Sequence, residues 1–381
     1  MFLTNRDIIE LTAWRQKLHA MPEVSGAEVE TAAEVTAFLG TMGPDTVIAG
    51  LGGTGVAAVF EGKDDGPTVL FRCELDALPI EEISDLPHRS RLAGKGHMCG
   101  HDGHMATMAA LARGLSRERP KRGRVVLLFQ PAEETGAGAA AVIADPKFAG
   151  ITPDYAFSLH NMPGLPFGHV WLKDGIANCA SRGLKIVLTG KTAHASAPET
   201  GTSPMRAISS LMPALTALSG GSLDGGDFVL ATVTHAVLGE EAFGIAPGHG
   251  EIWVTLRTMT DGQMQALTDD AEKLVRQAAE NDGLDVEMTY HDIFGHCDNN
   301  PDAAKILRAA LEAENVSHEA GDTFRASEDF GRFGAVSKSA MFFLGAGESH
   351  PAVHNPNYDF PDDLIPIGAR IFMRTARDLL G

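Results

Sequence analysis

Four apolar segments rich in β-branched and aromatic residues are each followed by polar residues of the types that work in active sites. The apolar segments span residues 68–73, 124–129, 155–159 and 340–344. Helical stretches such as HMATMAALARGLS and GAGAAAVIAD lie between them. Alternating strands and helices predict an α/β domain with a mostly parallel sheet covered on both faces. Ligands bind beyond the carboxyl ends of such strands, which is where these polar residues fall.

The middle of the chain follows a different order, β-α-β-β-α-β. Its strands are RGLKIVLTG, DFVLATVTHAV, GEIWVTLRTM and LDVEMTYHDIF, and its helices are SPMRAISSLMPALTAL and DGQMQALTDDAEKLVRQAAEN. This order is typical of a ferredoxin-like α+β unit. The sequence therefore predicts a discontinuous catalytic α/β domain, residues 1–180 and 293–381, interrupted by a ferredoxin-like domain, residues 181–292.

Composition narrows the class of protein. The 381 residues are 44% hydrophobic and 21% charged, which is typical of a globular chain. The net charge of −19 gives no general electrostatic reason to bind nucleic acid or an anionic membrane. No apolar run reaches the roughly 18 residues of a membrane span, and the N-terminus resembles an amphipathic helix rather than a secretory signal. The four cysteines are widely spaced, so we expect reduced thiols and a cytoplasmic protein.

The segment GHMCGHDGHMA, residues 96–106, is the first candidate metal-binding motif. In a loop before a helix, Cys99 and His101 can point to one centre, and a thiolate with an imidazole suits Zn, Mn, Co or Ni. The alternative is a glycine-rich turn with a small buried cysteine. We expect His97 and His104 to be structural or to support the ligands.

Two aspartates near this motif, Asp102 and Asp76, have two possible roles. Each could orient a ligating imidazole, as the carboxylates around metal-bound histidines often do. Each could equally cap a turn.

Adjacent carboxylates follow the second strand, at Glu133 and Glu134. One can bind a metal while the other accepts a proton from water. His160 and His354 are further candidate ligands. Taken singly, the carboxylates could lie in a solvated turn and His160 in the core. Together with Cys99 and His101 they exceed the four ligands of a structural zinc, and they suit two metals about 3.5–4 Å apart.

The motifs closely resemble those of the metal-dependent amidohydrolases that include hippurate hydrolases, N-acyl-amino-acid amidohydrolases (aminoacylases) and auxin–amino-acid conjugate hydrolases. They occur in that family's order and extend from LHAMPE to the C-terminus. They are FRCELDALP, GHMCGHDGHMA, LLFQPAEETGAGA, LHNMPGLPFG, GKTAHASAP and VHNPNYDF. The resemblance implies a catalytic α/β domain with an inserted ferredoxin-like lid.

The resemblance also implies a role for each metal-site residue. Cys99 would bridge two divalent metals, His101 and Glu134 would bind one of them, and His160 the other. His354 would complete the set. Glu133 would be the general base.

Three positions in the predicted lid are relevant to the substrate. The resemblance implies that His194 stabilises the oxyanion in a neighbouring subunit's site and that Arg257 binds a substrate carboxylate. His194 could otherwise be a surface histidine, and Arg257 could pair with a lid carboxylate. Relatives commonly carry NVIP where this chain has GIAP, so Gly244 replaces an asparagine that contacts substrate.

The sequence thus predicts a dinuclear metal-dependent amidohydrolase that cleaves N-acyl amino acids or similar small amides to a carboxylic acid and an amine. The alternatives are a dipeptidase or carboxypeptidase with the same metal site, or a non-catalytic metal- or ligand-binding protein. An intact Glu133 argues against the last. The strand DFVLATVTHAV is expected at a sheet edge with few charges, which favours a homodimer or larger homo-oligomer built through the lid.

Overall fold

Helices and strands alternate along the chain. The computed structural model describes residues 2–381. Within that range the chain forms eight α-helices: α1 (Asn5–His19), α2 (Val29–Gly40), α3 (His101–Arg117), α4 (Gly138–Ala144), α5 (Met205–Thr216), α6 (Asp261–Asp282), α7 (Pro301–Ala313) and α8 (Leu364–Leu380). The described range also contains sixteen strands: β1 (Thr46–Leu51), β2 (Gly55–Glu61), β3 (Asp64–Glu74), β4 (Arg122–Gln130), β5 (Tyr155–Pro163), β6 (Val170–Trp171), β7 (Gly175–Asn178), β8 (Ala180–Thr189), β9 (Ala193–His194), β10 (Val229–Leu238), β11 (Ile245–Ala246), β12 (His249–Thr258), β13 (Asp285–Phe294), β14 (Cys297–Asn299), β15 (His318–Glu319) and β16 (Lys338–Gly347).

The first compact unit comprises residues up to Ala177, Cys297–Asp322 and Asp329–Gly381. Its eight-stranded sheet has the order β1-β2-β4-β3-β5-β16-β6-β15. The four strands predicted from the sequence, β3, β4, β5 and β16, lie together at its centre and run parallel. The predicted α/β fold with a mostly parallel central sheet is confirmed. An antiparallel hairpin of β1 and β2, which was not predicted, extends one edge of the sheet.

Aromatic side chains pack between the central strands and α8. The Phe71 ring of β3 lies 5.7 Å from the Phe157 ring of β5 and 4.9 Å from the Phe372 ring of α8. All three rings are fully buried, and burial of that much apolar surface is a main source of stability. On α3, a Cβ at Gly103 would lie 2.0 Å from the Phe360 ring, so only glycine allows the first turn of α3 to approach this closely.

The second unit comprises Asn178–His296 and Thr323–Glu328. Its antiparallel sheet has the order β10-β12-β8-β13, and α5 and α6 pack against it. Alternate residues of β8, namely Leu184, Ile186 and Leu188, are buried in this core. The topology is the predicted ferredoxin-like one, with β10 at the edge as expected.

No helix among residues 2–381 combines the length and the apolar character needed to cross a membrane.

Candidate metal centre

Five predicted ligands of the first unit converge at the carboxyl ends of the central strands. Glu134 follows β4, His160 lies within β5, and His354 follows β16. His101 is the first residue of α3, which follows β3, and Cys99 lies two residues earlier in the preceding loop. Parallel strands bring their carboxyl ends to one edge of a sheet, so residues far apart in sequence meet there.

The donor atoms form overlapping groups around Cys99. One group is Cys99, His101 and His160, and a second is Cys99, Glu134 and His354; in each, the donor atoms lie within 4.8 Å of one another. Cys99 Sγ lies 3.4 Å from His160 Nε2, and His354 Nε2 lies 3.5 Å from Glu134 Oε2. Cys99 belongs to both groups, which is the arrangement expected of a thiolate shared by two metals.

Hydrogen bonds turn two of the imidazoles toward the centre. His101 Nδ1 donates to the carbonyl oxygen of Asp76 at 2.8 Å, and His160 Nδ1 donates to the carbonyl oxygen of Asn161 at 2.8 Å. Each ring thus carries a proton on Nδ1 and turns Nε2 to the centre, and Nε2 is unprotonated when the ring is neutral, because only one nitrogen of a neutral imidazole carries a proton. Backbone carbonyls that fix a ligating histidine in this way are a common feature of metal sites.

His354 occupies an unusual backbone conformation, with φ of 67° in the left-handed region. Its N–H donates to the carbonyl oxygen of Met98 at 2.6 Å, which ties it to the loop that carries Cys99. Non-glycine residues in this region are uncommon and concentrate at functional sites.

Glu133 lies beside the donor groups with only 5% of its surface exposed. Its Oε2 is 4.0 Å from His101 Nε2, and its Oε1 accepts a hydrogen bond from the Asp329 N–H at 3.4 Å. His101 Nε2 is also 3.8 Å from Glu134 Oε1. The two adjacent carboxylates therefore both face the donor cluster.

The electrostatic environments of His160, which is partly buried, and His101, which is buried, differ. Burial and the neighbouring His104 lower the pKa of His160 to about 3, so this ring is neutral. Burial opposes a charge on His101, but Asp76, Glu74 and Glu134 raise its pKa to about 10. Burial, together with Glu134 and Glu133, raises the pKa of the Cys99 thiol well above its usual range.

The donor set fits divalent transition metals. His101 Nε2 is fully buried and finds no hydrogen-bond partner among residues 2–381. A buried polar nitrogen aimed at a thiol and two carboxylates is costly unless a cation or proton occupies the space between them. Imidazole, thiolate and carboxylate donors together suit Zn, Mn, Co or Ni.

Asp76 and Asp102, the two aspartates near the metal-binding motif, make different contacts. Asp76 Oδ2 accepts hydrogen bonds from the Glu134 N–H at 3.0 Å and from the Ser25 hydroxyl at 2.6 Å, and its Oδ1 lies 3.5 Å from His101 Nδ1. Asp76 thus supports two candidate ligands. Asp102 instead contacts His19 and Arg15, at 2.9 and 3.2 Å, and it orients neither His101 nor Glu134.

His97 and His104 both lie outside the groups built on Cys99, and both are buried. His104 bridges Glu74 and Asn161, with its Nδ1 2.6 Å from Glu74 Oε2 and its Nε2 in contact with Asn161 Oδ1 at 2.5 Å. Glu74 and His104 form a further candidate group with His101. His104 thereby links β3 to the residue that follows His160.

The second unit carries the residues predicted to act on substrate. His194 is exposed, and its Nδ1 accepts from the Ser196 N–H at 3.2 Å, so the neutral ring carries its proton on Nε2. Arg257 Nη1 donates to the carbonyl oxygen of Arg325 at 3.0 Å and to the Ser327 hydroxyl at 3.1 Å. Both partners are neutral, so the alternative that Arg257 pairs with a lid carboxylate is wrong for these contacts.

Gly244 belongs to the short loop before β11. Its carbonyl oxygen accepts from the Ala195 N–H at 3.0 Å, next to His194. A Cβ at this position would meet nothing within 4 Å, and the backbone does not require glycine because its φ is not positive. Packing therefore does not explain why the chain has glycine here.

Glu28 is a residue near the site that was not predicted from the sequence. This fully buried carboxylate accepts a hydrogen bond from the Ala132 N–H, one residue before Glu133, at 2.8 Å. It lies in the segment PEVSGAE, whose spacing contains no ligand or base pattern, and only the folded chain brings it beside Glu133.

Known proteins with similar sequences are hydrolases. The chain is 30% identical to a hippurate hydrolase of Campylobacter jejuni over 368 residues, covering 95% of this chain and 94% of that protein. It is 31% identical to the IAA-amino acid hydrolase ILR1-like 2 of Arabidopsis thaliana over 373 residues, covering 94% of this chain and 82% of that protein.

A solved structure shares the fold over nearly the whole chain. The crystal structure of Bacillus subtilis YXEP, described as a dinuclear metal binding peptidase from the M20 family, superposes with a TM-score of 0.82 at 24% identity and 99% coverage of both chains. The model of peptidase family M20/M25/M40 matches residues 70–378. The chain therefore belongs to peptidase family M20/M25/M40, and it is a hydrolase that acts on amide bonds.

Proposed function

We propose that this protein is a dinuclear metal-dependent amidohydrolase that cleaves N-acyl amino acids, or similar small amides, to a carboxylic acid and an amine. One observation carries the proposal: the donor atoms of Cys99, His101, Glu134, His160 and His354 converge around a shared sulfur, with the carboxylate of Glu133 beside them. A structural metal site needs no further carboxylate of this kind, whereas hydrolysis needs a base.

In this proposal Cys99, His101, Glu134, His160 and His354 would together hold two divalent ions. Cys99 groups with His101 and His160 and also with Glu134 and His354, while His101 lies close to Glu134 as well, so the distances between the donor atoms are compatible with His101 joining either Glu134, as the resemblance implies, or His160. When bound, such ions supply Lewis acidity, which makes an amide carbonyl more electrophilic and water more acidic. The metal could be Mn, Zn, Co or Ni, because all four accept this donor set.

Glu133 would carry the proton. Its buried carboxylate would accept a proton from the attacking water and deliver it to the leaving nitrogen. The Asp329 N–H, at 3.4 Å, and the backbone around Glu133 hold the carboxylate in place. His194, whose Nε2 carries the proton in the neutral ring, would donate to the oxygen that develops negative charge.

The substrate class rests on Arg257 and on the relatives. The guanidinium has only neutral partners in the second unit, so its charge is available to a carboxylate. The relatives named for hydrolysis of hippurate and of IAA–amino acids act on acylated amino acids, which supports the same class here.

We also propose a cytoplasmic homodimer assembled through the second unit, which would act as the lid. The unpaired edge of β10 and the exposed apolar residues Val237 and Leu238 near its end favour pairing with another copy. The four cysteines are buried and free, as is usual in a reducing compartment.

Metal removal and reconstitution test the proposal. The protein would be stripped with a chelator, reloaded separately with Mn, Zn, Co and Ni, and assayed on N-acetyl amino acids, N-benzoyl amino acids and dipeptides. We expect activity on an N-acyl amino acid to return with about two equivalents of metal. Cys99→Ala should bind less metal and remain inactive, whereas Cys179→Ala, a buried cysteine of the second unit, should bind metal normally. Activity that survives complete metal removal would contradict the proposal, and a preference for free dipeptides would point to a dipeptidase.

A further inference from the structure

The backbone around Glu133 is held in a conformation that its own residues do not favour. Ala132, immediately before Glu133, has φ of 50°, in the left-handed region where the Cβ of an alanine crowds the neighbouring carbonyl. Glycine is the residue that adopts this region without cost. Since the chain has alanine here, other contacts must hold the turn in place.

Two buried carboxylates hold this backbone on either side of Glu133. The Ala132 N–H donates to Glu28 Oε1 at 2.8 Å, and the Glu134 N–H donates to Asp76 Oδ2 at 3.0 Å. Both carboxylates are fully buried. Two further bonds close the turn, from the Gly136 N–H to the Glu133 carbonyl at 2.7 Å and from the Gly138 N–H to the Ala132 carbonyl at 3.1 Å.

Glu28 is not accounted for by the helix that follows it. It lies at the N-cap position of α2, yet its side chain forms no capping hydrogen bond with that helix. Glu23 caps α2 instead, because its Oε2 accepts from the Thr31 N–H at 2.8 Å. The Glu28 carboxylate turns toward Ala132, and it also accepts from the Gly26 N–H and the Thr54 hydroxyl, each at 2.8 Å.

We propose that Glu28 is a positioning residue that holds Ala132 in its left-handed conformation and thereby directs the Glu133 carboxylate. The inference rests on the proposed role of Glu133 as the general base. Glu28 touches neither substrate nor metal ligand; it acts through the hydrogen bond to the Ala132 N–H. A base displaced by about 1 Å can lose on the order of 10²-fold in rate, so the effect of losing this hydrogen bond is measurable.

Three variants of the metal-loaded enzyme separate positioning from folding, with N-benzoylglycine as the probe if it is turned over and otherwise the best N-acyl amino acid. Glu28→Ala should lower kcat about 10- to 100-fold with little change in KM. Glu28→Gln should keep kcat within about threefold, because its amide oxygen can accept from Ala132 while its NH₂ donates to the Thr54 hydroxyl. Thr54→Val, the matched control, removes a partner of the same carboxylate without releasing Ala132, so it should lower Tm but not kcat.

A double variant tests the conformational argument. Glycine at position 132 adopts a positive φ without restraint, so Glu28→Ala/Ala132→Gly should recover at least about threefold in kcat over Glu28→Ala. If Glu28 merely stabilised the fold, this glycine would loosen the turn and recover nothing.

Hydrogen exchange provides a readout independent of activity. In the metal-free protein, the amide of Ala132 should be protected in wild type and in Thr54→Val, and should exchange faster in Glu28→Ala. Where Glu28→Ala fails to fold, Glu28→Asp takes its place, because the shorter side chain withdraws the carboxylate from Ala132 and keeps the charge.

The outcomes distinguish this inference from the proposed function. Full kcat in Glu28→Ala or Glu28→Asp, or unchanged protection of Ala132, would overturn the positioning role. Loss of kcat in Glu28→Gln equal to that in Glu28→Ala would also overturn it. If Glu133→Gln itself retained wild-type activity, the proposed base, and not only Glu28, would be wrong.

Discussion

Cys99 Sγ lies 3.4 Å from His160 Nε2, although 61 residues separate them in the chain. Cys99 precedes α3, and His160 lies in β5. Their approach follows from the parallel arrangement of the central strands, whose carboxyl ends meet at one edge of the sheet. The same arrangement brings Glu134 and His354 to this edge and defines the candidate metal centre.

Arg257 should select for a free carboxylate on the substrate. A charge-assisted pair of hydrogen bonds contributes about 2–3 kcal/mol, on the order of 30–150-fold in kcat/KM. Wild type should prefer an N-acyl amino acid over its carboxamide by about this factor, and Arg257→Ala should erase most of that preference. Equal hydrolysis of the acid and the carboxamide by wild type would show that Arg257 is not a carboxylate clamp.

Gly244→Asn should be tolerated structurally, because a side chain at this position enters open space and the backbone has no positive φ. The resemblance implies that asparagine at this position contacts substrate, so kcat/KM for simple N-acyl α-amino acids should rise while Tm stays the same. Gly244→Ala is the matched control and should change neither. A fall in activity on every acylated amino acid would indicate instead that the glycine makes room for a larger amine portion.

His194 should act in the partner subunit's site. His194→Ala should lower kcat by about 10²–10³-fold, as the loss of an oxyanion donor does. Mixed dimers of His194→Ala and Glu133→Gln should regain about one quarter of wild-type activity, because half of the dimers are mixed and each contains one intact site. An active monomer in light scattering, or no recovery on mixing, would rule out this role.

The stability of the first unit should depend on Asp7 at acidic pH. Hydrogen bonding to Arg117, opposed by burial and aided by Thr4, holds the pKa of Asp7 well below its usual range. The unfolded chain binds a proton near pH 4, so the stability that Asp7 contributes is present above that pH and is lost as the pH falls below it.

Asp7 and Thr4 form a capping box at the start of α1, in which the Asp7 carboxylate accepts from the Thr4 N–H. Asp7→Asn should therefore cost about 1 kcal/mol near pH 7, as the loss of a helix-capping interaction does, and the difference from wild type should shrink below about pH 4. Urea unfolding followed by circular dichroism at several pH values measures this. A constant difference across the whole range would contradict the assignment.

The sequence could predict the central strands and the positions of the ligands because both follow local patterns. Apolar runs such as residues 124–129 form strands when buried on both faces, and the ligand-type residues fall directly after them. The ferredoxin-like unit could also be predicted, because apolar and polar residues alternate along β8 and the apolar ones are buried. The edge hairpin of β1 and β2 was missed, although β2 is buried along most of its length.

The contacts around Glu133 could not be predicted because they depend on tertiary packing. Nothing in the segment PEVSGAE indicates that Glu28 lies 2.8 Å from the Ala132 N–H, 104 residues away. The left-handed φ of Ala132 is also unexpected, because alanine does not favour it. Asp102 was expected either to orient a ligand or to cap a turn, and it instead pairs with His19 and Arg15 of α1. These partners are too far from Asp102 in sequence for a local pattern to predict the contact.

Glu133→Gln provides the most direct measurement. The substitution keeps the size of the side chain and its hydrogen-bond acceptor toward the Asp329 N–H, and it removes the ability to accept a proton. At full metal occupancy, established by elemental analysis, we predict about two equivalents of bound metal and a kcat about 10²–10⁴-fold below wild type on the best N-acyl amino acid. A variant that binds the same metal and turns over at nearly the wild-type rate would contradict the central claim that Glu133 is the base of a two-metal amidohydrolase.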